Sequence, residues 1–70
     1  MKNKFAERLK NLMELEGITA YKLSKDLHVS QSVVMYWLQG KTTPSIEYLI
    51  DVADYFNVCS DYLLGRQENY

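Results

Sequence analysis

Residues 19–40, TAYKLSKDLHVSQSVVMYWLQG, read as two short helices joined by a minimal turn. Thr19 and Ser30 each stand before a helix-length segment, where a hydroxyl can accept one of the N–H groups that a helix start leaves without an acceptor. In the first segment, which runs through Leu27, Leu23 and Leu27 are four apart and share an inner face. The second runs to about Gln39 and places Val34, Trp37 and Leu38 on one face by the 3.6-residue period. Ser32, Met35, Tyr36 and Gln39 fall on the opposite face, with Gln31 and Val33 on its flanks. Gly40 ends this helix.

The flanking sequence adds further helices. Upstream, Phe5, Leu9, Leu12 and Met13 make a helical stripe, which leaves Glu7, Arg8, Lys10, Asn11 and Glu14 on the expected wet side. Gly17 supplies the stop. Downstream, Pro44 and Ser45 punctuate before a fourth helix with the stripe Leu49, Val52, Ala53 and Phe56. Cys59 or Ser60 starts a last turn, Asp61 to Leu64, closed by Gly65. The polar tail Arg66–Tyr70 is expected to fray. With no strand-like alternation and no repeat, the pattern predicts an all-α domain of five short helices over residues 1–65, followed by a tail at 66–70.

Seventy residues allow one domain, burying about 60% of its unfolded surface. A single cysteine cannot form an internal disulfide, so helix packing must carry stability and a reducing, cytoplasmic setting is expected. The longest apolar run, Val33–Leu38, is too short to cross a bilayer, and no membrane partner is expected. One histidine and one cysteine on separate segments make neither a nucleophile with its base nor a metal set. There is also no glycine-rich phosphate loop, so neither an enzyme nor a cofactor is expected. Net charge is −1, but unevenly spread: residues 19–43 carry +2 and residues 44–70 carry −4. The middle of the chain can face phosphate while the C-terminal part turns away, with a modest field.

Such a helix pair can lay its second helix in a DNA major groove while the first crosses the backbone. Gln31 can donate and accept together at adenine, Ser32 can bond several bases, and Val33 can touch a thymine methyl. Tyr36 follows Ser32 by one turn on the same face. Free N–H groups at both helix starts can bind phosphate. Periodicity alone favours a plain scaffold, since helix pairs with polar outer faces are common in all-α domains and most are only that.

Residues 5–65 resemble, almost without gaps, the Cro/cI-type (XRE-like) helix-turn-helix family. Leu9, Leu12, Gly17 and Ile18 resemble its first-helix ending, and Leu23, Leu27, Val29 and Ser30 its helix-turn-helix core. Gly40–Lys41 with Pro44–Ser45 resemble its loop. Phe56-Asn57-Val58 followed by Asp61-Tyr62-Leu63-Leu64-Gly65 resembles its terminal signature. The resemblance implies a lambda-repressor-like fold whose second and third helices bind operator DNA. It further implies a repressor-like regulator of phage, mobile-element or chromosomal genes, acting as a dimer.

Four departures stand out against the family pattern. Ala20 replaces a phosphate-holding glutamine, which shifts that task to backbone N–H groups and Lys22. His28 replaces a turn glycine, so a histidine is expected at positive φ. Met13 and Leu38 replace an arginine–glutamate pair, which predicts that Met13 packs on Leu38. Met35 and Tyr36 give the recognition helix an unusually apolar outer face.

The expected base contacts are Gln31, Ser32, Val33 and Tyr36, and the expected phosphate contacts are Thr19, Lys22, Gln39, Lys41 and Thr43. Asp61, Tyr62 and Leu64 are candidates for a two-fold contact in a weak homodimer on a pseudo-palindromic operator. Tyr62 as core cover is the competing reading. No small-molecule ligand is expected, there being no room for a sensing domain. The alternative is a protein-interaction module or anti-repressor on the same fold, using Val33, Met35 and Tyr36.

Overall fold

The computed structural model describes residues 4–69 and is all-helical. Its helices are α1 (Phe5–Glu16), α2 (Ala20–Leu27), α3 (Gln31–Gln39), α4 (Ile46–Phe56) and α5 (Ser60–Leu63). Residues 1–3 of the expected domain and Tyr70 of the expected tail lie outside the described residues.

The chain reverses direction cheaply. Each of α1 to α4 ends on a residue in the left-handed region, which lets following N–H groups bond back to the last carbonyls. Two of these residues are not glycine: His28 at φ 60° and Asn57 at φ 56°. Histidine and asparagine are among the few side chains enriched there. The expectation for His28 therefore holds, and Asn57 joins it. At the helix starts, Thr19 Oγ1 accepts the Lys22 N–H at 3.1 Å and Ser30 Oγ accepts the Val33 N–H at 3.3 Å.

The stripes meet in one core of Phe5, Leu9, Leu12, Met13, Leu23, Val34, Trp37, Leu49, Val52, Ala53, Tyr62 and Leu63. Trp37 is 2% exposed and meets Phe5 edge-on, with ring centroids 6.1 Å apart. The Tyr48 ring, tilted by 50°, also lies 6.1 Å away. Met13 is buried and Leu38 half-buried in the same cluster, where the related pattern has opposite charges. α5 packs on α1 and α4, while α2 packs chiefly on α3.

Arg8 corrects the sequence reading. It does not face water but is 7% exposed, with its guanidinium 4.3 Å above the Tyr62 ring. Its Nη1 donates to the carbonyls of Tyr62 at 3.3 Å and Gln67 at 3.1 Å, and its Nη2 donates to Glu68 Oε2 at 3.2 Å. The physical reason lies in the spacing. Arg8 is three residues after Phe5 and four before Leu12, so its stem belongs to the buried stripe and its fork finds carbonyls beyond α5.

The same contacts correct the expectation of a frayed tail. Arg66 N–H donates to the Asp61 carbonyl at 2.8 Å, and Gln67 Nε2 donates to Cys59 Sγ at 2.9 Å. Residues 66–68 are exposed yet fastened. Gly65, at φ +79°, sits where a Cβ would come within 2.9 Å of the Lys4 side chain, so a larger residue there would be strained and would have to displace Lys4.

Candidate nucleic-acid interface

The face that α3 turns to solvent is built from its N-terminus. Gln31 and Ser32 are exposed in its first turn, and Tyr36 follows, 47% exposed. The leading N–H groups of a helix have no intrahelical acceptor, so those of α3 add donors beside these side chains. Val33 lies further inward than expected. It is half-buried against the core, so only part of its side chain can meet a methyl group. Met35 is 38% exposed.

Lys41, in the loop after α3, folds back so that its ammonium lies 5.8 Å from the Tyr36 ring centroid. Its own N–H donates to the Tyr36 carbonyl at 3.0 Å, which fixes the loop against the helix. The structure thus joins one expected base contact to one expected phosphate contact. Gln39 and Thr43 are exposed nearby in the chain.

At the start of α2, Thr19 is exposed while its hydroxyl oxygen caps the helix. Lys22 is not a free cation. Its Nζ donates to Asp26 Oδ2 at 2.9 Å, and the Tyr55 hydroxyl of α4 donates to the same oxygen at 2.6 Å. The Tyr55 and Lys22 hydrogen bonds hold the Asp26 carboxyl below its ordinary range. Asp26 in turn raises both the Lys22 ammonium and the Tyr55 hydroxyl. The sequence reading missed this network. The four-residue spacing of Lys22 and Asp26 was a signal for half of it, while Tyr55 is 29 residues further on and gave none. Tyr21 was also passed over; it is 58% exposed with the Lys25 ammonium 5.3 Å from its ring centroid.

Asp61, Tyr62 and Leu64 lie apart from this arrangement, on and just after α5. Tyr62 is 9% exposed and underlies Arg8, so much of it serves the protomer's own core. Asp61 is exposed and Leu64 half-buried. Among the described residues no cluster of three or more His, Cys, Asp or Glu could hold a metal ion, and no helix is long and apolar enough to cross a membrane.

A helix-turn-helix family model matches residues 9–63. The chain is 33% identical over 64 residues to the HTH-type transcriptional activator BcrR of Enterococcus faecalis, covering 91% of this chain and 31% of that protein. A crystal structure of a transcriptional regulator from Listeria innocua superposes with a TM-score of 0.88 at 33% identity, covering all of this chain and 65% of that one. The chain therefore spans about a third of the length of the curated relative and about two thirds of the solved one.

Proposed function

The chain belongs to the Cro/cI-type helix-turn-helix family, and from that premise we propose that it is a sequence-specific DNA-binding transcriptional regulator of the cytoplasm, with α3 in the major groove. One observation carries the reading: an uncharged, hydrogen-bonding face of Gln31, Ser32 and Tyr36 stands on a helix fixed to the core through Val34 and Trp37, with Lys41 stacked at its edge. Side chains held this way can discriminate base edges, because their helix cannot shift to suit a wrong sequence.

Gln31, Ser32 and Tyr36 read bases, with Val33 contributing an edge. Thr19, Gln39, Lys41 and Thr43 hold phosphate together with the first N–H groups of α2 and α3, while Lys22, the remaining member of the expected set, is paired with Asp26. Two copies meet through Asp61 and Leu64, with the exposed margin of Tyr62, and bind half-sites about one helical turn apart. The protein-interaction alternative draws on the exposure of Met35 and Tyr36. With Val33 half-buried in the core, that patch is narrower than the sequence suggested, which favours DNA.

Selection of duplexes from a random library tests the reading. A two-fold symmetric motif is expected, and no enrichment by folded protein would transfer the assignment to the protein-interaction module. On the selected site, Gln31→Ala should cost about 1–3 kcal/mol at one base position. Lys41→Ala should weaken all sequences alike and reduce the salt slope by about 1. Equal loss on every sequence for both variants would break this division of labour.

A further inference from the structure

Three lysines lie in the segment that carries the helix pair and its following loop, and all three have partners. Lys25 and Lys41 lie over the rings of Tyr21 and Tyr36, which leave their charge intact. Of the three, Lys22 forms an ion pair, with Asp26, the sole acidic residue between positions 19 and 43, whose charge Lys25 also feels.

The pair is poorly suited to stabilising its own helix. Lys22 sits in the first turn of α2, where the helix dipole disfavours a cation, and Asp26 near its end, where an anion is disfavoured. Basic-before-acidic is also the weaker order at a spacing of four. A lysine side chain leaves its backbone tilted toward the helix N-terminus, yet this ammonium bonds one turn the other way, 2.9 Å from Asp26 Oδ2. What fixes the arrangement comes from α4: the Tyr55 hydroxyl donates to the same carboxylate oxygen at 2.6 Å.

We propose that Asp26, held in place by Tyr55, is a positioning residue that competes with DNA phosphate for Lys22 and so restrains sequence-independent binding. The proposal rests on the DNA-binding reading above. A phosphate contact from Lys22 adds affinity without sequence information. A fixed carboxylate withholds that contact at every site along the DNA and leaves α3 to supply the preference.

The test uses the whole chain and a fluorescently labelled 20-base-pair duplex of random sequence, titrated by anisotropy between about 50 and 200 mM salt. Asp26→Asn keeps the side-chain shape and removes the charge. It should tighten binding about three- to tenfold at the lowest salt and steepen the salt slope by about 1, as one added phosphate contact implies. Tyr55→Phe should move both quantities the same way by less. In a Lys22→Ala background, Asp26→Asn should gain less than about twofold and leave the slope alone.

An unchanged slope in Asp26→Asn, with its fold intact by circular dichroism, overturns the proposal. An equal gain in the Lys22→Ala background does so too, since Asp26 would then act only through the general field. If the wild-type chain binds neither random nor selected duplex at 50 mM salt, the DNA-binding reading falls and this one with it. Wild-type binding with an inert Asp26→Asn removes this inference alone.

Discussion

Arg8 and Lys22 each hold carboxylate and aromatic company, but at two quite different corners of the molecule. At the α1–α5 corner the guanidinium is buried, lies over Tyr62 and ties down the chain beyond α5. At the α2–α4 corner the ammonium is exposed and shares one carboxylate oxygen with Tyr55. The first cation donates to carbonyls that its absence would leave in a drier place, so it serves stability. The second is already well solvated, and its pairing changes mainly what else it can reach.

The contrast predicts a graded series in thermal or denaturant unfolding. Arg8→Ala should have the largest effect, a loss of about 2–3 kcal/mol from its charged hydrogen bonds and its ring contact. That corresponds to a fall in melting temperature on the order of 10 °C for a domain of this size. Arg8→Lys keeps the charge and loses the fork, and should cost about 1 kcal/mol. Glu68→Ala should cost under about 0.5 kcal/mol, because its carboxylate is 81% exposed. A Glu68 effect as large as that of Arg8→Ala would show that the ion pair, and not the carbonyls, fastens the tail.

At the other corner, Asp26→Asn and Tyr55→Phe should leave the melting temperature within about 2 °C. A larger loss would make the Lys22 corner structural and erase the contrast. The smallest effect is in pH dependence. The Asp26 carboxyl is lowered in the fold, so its contribution is present above the ordinary carboxylate range and disappears as pH falls through the lowered value. Tyr55 is raised above 10.0, so its contribution is present below that value and disappears as pH rises through the raised one. Melting curves of wild type and Asp26→Asn should converge in acid and separate slightly near neutrality.

The two corners also differ in how much of them could be read in advance. Helix starts and stops at Gly17, Thr19, Ser30 and Gly40 are local events, decided by a hydroxyl or by a residue that accepts positive φ, and they stood where the sequence put them. The family resemblance placed His28 in the turn on the same grounds. Arg8 was misplaced because its polarity outweighed its spacing, although Phe5 and Leu12 bracket it on the buried stripe. Its partners lie 54 to 60 residues away, beyond the reach of any periodic pattern. The outward set Gln31, Ser32 and Tyr36 followed from the phase of one helix. The depth of Val33 did not, because it depends on how closely neighbouring helices approach.

Trp37 gives this small domain an optical reporter of its own. It is the only tryptophan, 2% exposed, with the rings of Phe5 and Tyr48 each 6.1 Å away, and it is buried in the core on the same helix whose Tyr36 is exposed. Its emission should stay blue-shifted in the folded state and move to the red when the core opens. A duplex docked on the outer face should leave that emission almost unmoved. Fluorescence from a single ring thus separates loss of fold from loss of binding in the same cuvette, for every variant described above.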